Sequence, residues 1–163
     1  DATVQLLSEA GSISILGNHD QGYLQKHADD GSATALAYFA GLPAFIDTTI
    51  DGRHVYMVHA EPPAACHGGI KLRDKSGEVQ PDRVAHWEKE LAGFAPDVLI
   101  VGHTHQVYAE QVGNTLVVNP GSSVFNYSCA VLRLPEMRVE TFPLSGRAIS
   151  VNWNWSDHFG KDR

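Results

Sequence analysis

One kind of join recurs in this chain and constrains its fold more than any other feature: a short apolar run stops abruptly and turns polar. Ile13-Ser14-Ile15-Leu16 runs into Gly17-Asn18-His19-Asp20. His54 to Val58 runs into His59-Ala60-Glu61, and Val98 to Val101 into Gly102-His103-Thr104-His105. Short apolar runs bounded by turn residues read as buried strands. Each join therefore sets an Asn or a His where a strand meets a loop, the place where open α/β sheets hold their catalytic groups. Imidazole nitrogen and amide oxygen are both metal-ligand chemistry.

The spaces between these runs fill with recognisable elements. Val4 to Ala10 reads as the end of a helix with Gly11 behind it, and Ser32 caps a helix through Ala40 that Gly41-Leu42-Pro43 closes. Asp51-Gly52 predicts a hairpin between Phe45–Ile50 and His54–Val58. Residues 61–80 carry Pro62-Pro63, Gly68-Gly69 and Gly77 and read as a long loop placed to shape specificity. Pro81-Asp82 opens a helix whose Val84, Trp87, Leu91 and Phe94 recur at helical spacing and face a core. Gly113-Asn114 and Pro135-Glu136 predict two more hairpins. Val151, Trp153 and Trp155 alternate in the tail, which suits either an edge strand or loose packing. The order α-β-α-ββ-α-β-ββ-ββ fits a mixed two-sheet sandwich with helices outside. Residues 1–145 form the expected domain and residues 146–163 a polar tail.

Composition narrows the partners. The chain has 163 residues, 43% of them hydrophobic, enough for one core. Twelve Lys and Arg against nineteen Asp and Glu give a formal net charge of −7. That argues against a nucleic-acid backbone or an anionic membrane as main partner. It leaves room for a small anionic substrate, because bound divalent cations reverse the local field. No apolar run reaches the roughly 20 residues of a membrane span. Two cysteines, Cys66 and Cys129, read as unpaired thiols in a reducing, cytoplasmic compartment. Nothing in the sequence sets an oligomeric state.

The candidate ligands follow from spacing. If His103 and His105 leave an extended strand, they share one face with Cα atoms about 6.6 Å apart. That spacing suits two ions about 3.5–4 Å apart, one histidine to each. Asn18 offers Oδ1 to a metal, which leaves the adjacent His19 to donate a proton to a leaving oxygen. Asp20 is placed to orient His19. Each has a plainer reading: a polar turn for residues 18–20, and a buried imidazole bonded to backbone for His59.

In order and spacing, Leu16-Gly17-Asn18-His19-Asp20, Val58-His59-Ala60, Val101-Gly102-His103-Thr104-His105 and Val118-Asn119-Pro120-Gly121-Ser122 resemble the calcineurin-like metallophosphoesterase family. The likeness runs over roughly residues 5 to 145, and its last element points to the small single-domain phosphodiesterases. The resemblance implies an α/β fold, a mixed two-sheet β-sandwich flanked by helices in α/β/β/α layers. It implies two divalent ions (Mn, Fe, Zn, Ni or Mg) that activate a water against a phosphate ester. Asn18, His59 and His103 would bind one ion and His105 the other. His19 would contact the phosphate and assist the leaving group, with Asp20 supporting it.

The family also has D-x-H and G-D-x-x-D runs before G-N-H-D, and this sequence has neither. The expectation is an N-terminally incomplete record that lacks the first two strands and is inactive by itself, with an exposed sheet edge and uncovered apolar surface. The alternative is a non-catalytic interaction scaffold on the same fold, like the retromer scaffold subunit.

Overall fold

The computed structural model describes residues 1–154. Its centre is a five-stranded mixed sheet in the order β1-β2-β3-β5-β4. The strands are β1 (Phe45–Ile50), β2 (Arg53–Val58), β3 (Val98–Ile100), β4 (Val107–Val112) and β5 (Thr115–Pro120). β2, β3 and β5 run parallel, and the two edge strands pair antiparallel to them. β6 (Ser128–Arg133) and β7 (Arg138–Pro143) form a separate two-stranded sheet. The helices are α1 (Ala2–Glu9), α2 (Asn18–Lys26), α3 (Ala33–Ala40) and α4 (Pro81–Glu90). The predicted fold class holds: a mixed sheet and a small second sheet, flanked by helices.

Strand alternation sorts the core into two layers. Tyr56, Val58, Leu99, Val101 and Val117 face one side and join Ile70, Leu72 and Leu91, with Val84, Trp87 and Phe94 packed against them. Their neighbours Val55, Val98 and Val118 face the other side, where Leu132, Leu134 and Val139 of the β6–β7 hairpin cover them. Side chains one residue apart on a strand point to opposite faces, so a sheet covered on both sides needs apolar residues at successive positions. The stripe predicted for α4 is therefore a core face.

The hairpins over Asp51-Gly52, Gly113-Asn114 and Pro135-Glu136 form as predicted. Ser32 caps α3, its Oγ accepting from the Ala35 amide. The first predicted strand does not form. Ile13–Leu16 lies outside every strand, and Ile13 is 78% exposed. A strand needs a neighbour for its amides, and this segment sends only the Leu16 N–H to the Pro43 carbonyl, at 2.8 Å. The polar run after it is helical, so Asn18, His19 and Asp20 occupy the first turn of α2 and not a strand-end loop. Apolar surface is left open: Leu6 is 66% exposed, Val131 40% and Phe142 42%.

The loop 61–80 is no free flap. Ile70 and Leu72 have no exposure at all and anchor it in the core. In the tail, Asn152 bridges to Gln106 and Trp153 is buried. Trp155, and with it the rest of the predicted alternation, lies outside the described residues.

Candidate metal centre

The carboxyl ends of the parallel strands converge. His59 follows β2, Gly102 and His103 follow β3, and Asn119 closes β5. The Gly102 amide donates to the His59 carbonyl at 2.8 Å, which ties the first two ends together. α2 enters from the side. Gly17 comes so close to His59 that an added Cβ would lie 3.1 Å from its ring. The Gly17 amide donates to Asp20 Oδ2 at 2.9 Å. This is the N3 acid of a helix start holding the residue before the first turn. Asp20 thus fixes the turn that carries Asn18 and His19.

Three side chains meet as a result. His59 Nε2 is 2.8 Å from Asn18 Oδ1 and 3.3 Å from His103 Nδ1. His103 and His105 line one cavity of about 160 Å³ with Asn18, His19, Gly68 and Lys71. His105 rests against Phe125 and Trp153, with ring centroids 5.0 and 5.2 Å away.

The H-x-H run is not extended. His103 and His105 both have left-handed backbone, at φ 58° and 51°. Non-glycine residues adopt this conformation rarely and at some cost, so it persists only where the surroundings hold it. Here they do. Thr104, between the histidines, is buried and donates its hydroxyl to the Ile70 carbonyl at 3.3 Å. Asn119 Nδ2 donates to the Gly102 carbonyl and to Thr104 Oγ1, each at 3.0 Å. Asn126 Nδ2 donates to the His105 carbonyl at 2.9 Å, and the Trp153 amide to the same oxygen at 3.1 Å. The two histidines therefore splay from a turn clamped by two buried asparagines, and the strand spacing expected from the sequence does not apply.

The electrostatics favour neutral imidazoles. Burial, then the charge of His103, pulls the His59 pKa down to about 4. Burial lowers His103 too, with help from His67 and Lys71. Burial also lowers His105, followed by the charge of His103. Neutral imidazole is the metal-binding form.

Do these residues fit an ion? Around one ion with bonds of about 2.0–2.1 Å to nitrogen, neighbouring ligand atoms stand about 3.0–3.4 Å apart. The 3.3 Å between His59 and His103 lies in that range, and the 2.8 Å between His59 and Asn18 is somewhat shorter. The donor chemistry of Asn18, His59 and His103, one amide oxygen and two neutral imidazoles, is compatible with one divalent cation. They do not fit two. Among the described residues no group of three or more His, Cys, Asp or Glu side chains could hold a metal, and two adjacent dications without a carboxylate repel strongly.

Sequence reasoning missed several contributors. Lys71 and Asn126 carry no motif, Trp153 shows only in the alternation of the tail, and nothing in the motif around Asn119 marks it as a clamp. His67 has no partnered spacing in the sequence, yet its ring centroid lies 5.8 Å from that of His103.

A mixed sheet brings two histidines at its strand ends against the asparagine that opens α2. The family model described as the calcineurin-like phosphoesterase superfamily domain matches residues 2–134, and the chain belongs to that superfamily. Its members are phosphoester hydrolases that generally bind divalent metals. Among curated proteins, none matches significantly.

Solved structures share the fold. A hypothetical protein from Pyrococcus horikoshii OT3 aligns over 91% of this chain and 68% of its own, with 16% identity and a TM-score of 0.62. A metallophosphoesterase from Sphaerobacter thermophilus aligns over 88% and 71%, with 17% identity and a TM-score of 0.61. An archaeal phosphodiesterase covers 86% and 88% at 16% identity, with a TM-score of 0.42. At such identities the likeness to the first two is one of fold. Among the described residues no helix is long and apolar enough to cross a membrane.

Proposed function

We propose that this chain carries the histidine half of a phosphoesterase centre, phosphodiesterase or phosphatase, which holds one divalent ion (Mn, Fe, Zn, Ni or Mg) on Asn18 Oδ1, His59 Nε2 and His103 Nδ1. The observation that carries the reading is that His59 Nε2 lies 2.8 Å from Asn18 Oδ1 and 3.3 Å from His103 Nδ1. A divalent ion bound there would polarise a phosphoryl oxygen and ease the deprotonation of a water.

The chain's own residues do the rest. His59 and His103, held neutral by burial, give up no proton on binding the cation near pH 7. His19 shares a cavity wall with Asn18 and His103, within reach of a phosphate ester in that cavity. It donates a proton to the departing oxygen, a role that needs an imidazole beside the cation but not bound to it. Asp20 acts through position, holding the helix start that aims Asn18 and His19. His105 waits on a second ion whose carboxylates these residues do not supply, so the 163-residue chain alone is expected to bind one ion and turn over slowly or not at all. The free thiols of Cys66 and Cys129 support a cytoplasmic setting.

The test is manganese-dependent hydrolysis of bis-p-nitrophenyl phosphate by the natural protein. His19→Ala is expected to lower kcat by about 10²–10⁴-fold, and His103→Ala to abolish manganese binding and turnover. Unchanged activity in both variants would overturn the proposal. One observation favours a second reading, a non-catalytic scaffold: the donor set contains no carboxylate. That reading expects one ion bound and no turnover by the natural protein.

A further inference from the structure

The cavity of the metal centre does not end at the histidines. It shares Lys71 and Asn154 with a second hollow of about 190 Å³, also lined by Arg73, Asp74, Lys75 and Arg83. Four cations against one carboxylate face this hollow, in a chain whose formal net charge is −7.

The nearby acids leave most of that charge unanswered. Asp74 Oδ1 accepts from the Ser76 amide at 2.9 Å, the Ser76 hydroxyl at 2.6 Å and the Glu78 amide at 3.1 Å. Its Oδ2 accepts from Gln80 Nε2 at 2.7 Å. These bonds close a turn and engage no cation. Arg73 alone has an acid, Glu110, at 3.6 Å. Among the described residues, Lys71, Lys75 and Arg83 pair with no carboxylate. Like charges gathered at one hollow repel, and an anion relieves that repulsion.

The frame behind these cations is fixed. Lys71 stands between Ile70 and Leu72, both without exposure. The Leu72 and Arg73 amides both donate to Oε1 of buried Gln106, at 3.0 Å. Gln106 Nε2 returns a bond to the Arg73 carbonyl at 2.8 Å. Arg73 Nε and Nη1 donate to the Val107 and Gly77 carbonyls at 2.9 and 2.7 Å. Lys71 and Arg73 thus project from backbone that is already held in place.

We propose that this hollow is a second anion subsite, so that the substrate class is a small phosphate ester bearing a second phosphoryl group. The proposal rests on the phosphoesterase reading of the metal centre. In it, the reacting phosphate sits beside Asn18, His19 and His103. Lys71 stands at the junction, and Lys75 and Arg83 hold the other phosphoryl group. A monoanionic diester with no further charge would leave the subsite empty.

The experiment is a calorimetric titration of the natural protein with sodium tripolyphosphate and with orthophosphate at about 50 mM salt, where exposed charges still reach one another. Tripolyphosphate is expected to bind at least about tenfold tighter, a difference of about 1.4 kcal/mol. Lys75→Gln with Arg83→Gln is expected to remove that preference, and Lys75→Arg with Arg83→Lys to keep it. No preference in the natural protein overturns the proposal. A preference that survives the glutamine pair also overturns it, because it then reflects chelation of the ion. A 12-nucleotide single strand binding tighter than tripolyphosphate, with the same loss in the glutamine pair, would reassign the groove to nucleic acid.

Bis-p-nitrophenyl phosphate separates the two readings. Its hydrolysis without a tripolyphosphate preference sinks the subsite alone. A cation-dependent preference without any hydrolysis sinks the phosphoesterase reading and leaves an anion site.

Discussion

His59 Nε2 and Asn18 Oδ1 face each other across 2.8 Å, although 41 residues separate them in the chain. One ends a buried strand and the other opens a polar helix. His59 sits in an environment hostile to charge, since burial, then the neighbouring imidazoles, lower its pKa from 6.5 to about 4.

The sign of the resulting pH dependence follows. Above pH 6.5 the imidazole is neutral in folded and unfolded chains alike and adds nothing. As pH falls from about 6.5 towards about 4, the unfolded chain takes up a proton that the folded chain refuses, so stability drops through that window. His103 and His105, also lowered, act in the same direction. In metal-free protein the urea midpoint should decline between pH 7 and pH 4.5, and His59→Gln should flatten the decline. A midpoint that rises on acidification in that range would contradict the assigned shift. NMR titration of the His59 ring checks the value directly.

Asn119 carries a second prediction. It is 1% exposed, and its amide serves the Gly102 carbonyl and the Thr104 hydroxyl while its Oδ1 accepts from the Gly121 amide. Asn119→Ala strands those groups in the interior, at a cost of about 1–3 kcal/mol for each buried group left unpaired. It also frees the left-handed turn that presents His103 and His105. Manganese affinity should fall by about 10–100-fold, the range seen when supports behind metal ligands are removed. Denaturant melts and a manganese titration measure both effects. Affinity retained alongside lost stability would show that the clamp does not govern ligand geometry.

What could be read from the sequence was local. The hairpin turns, the α4 stripe and the places of His59 and His103 at strand ends rest on residue type and short spacing, and they survive in the fold. What could not be read depends on partners far along the chain. Ile13–Leu16 has strand composition, but composition cannot supply the neighbour its amides need. The histidines of the H-x-H run look like alternating strand residues until Asn119 and Asn126 hold them left-handed. Trp153 reaches His105 from far down the chain, with only a period-two pattern to announce it. Lys71 reads as an ordinary polar loop residue because its meaning lies in the burial of Ile70 and Leu72 on either side.

A third prediction concerns α2, the helix that delivers Asn18 and His19. Gly22 lies inside it, and a Cβ there would meet nothing within 4 Å. Glycine in a helix interior costs about 0.5–1 kcal/mol relative to alanine. Gly22→Ala should therefore stabilise the protein by that amount and leave manganese binding intact. A loss of stability in thermal melts would show that α2 is packed or bent in some way its open surroundings do not suggest.

Gly121 should behave in the opposite way. Its φ is +75°, and a Cβ there would lie 2.6 Å from Val107 Cγ2, 2.7 Å from Ser128 Oγ and 2.9 Å from Asn126 Cβ. Alanine at positive φ costs about 1–2 kcal/mol, and forcing a methyl into packed surroundings adds about 1–3 kcal/mol. Gly121→Ala should lose roughly 2–5 kcal/mol in a denaturant melt. The site should suffer with it, because the contact falls on Asn126, the residue whose amide holds the His105 carbonyl. The paired experiment is informative on one chain: the same glycine-to-alanine change gains stability at residue 22 and loses it at residue 121. Equal effects at the two positions would mean that the turn after β5 relaxes freely, and the clamp on the H-x-H run would then have to be sought elsewhere.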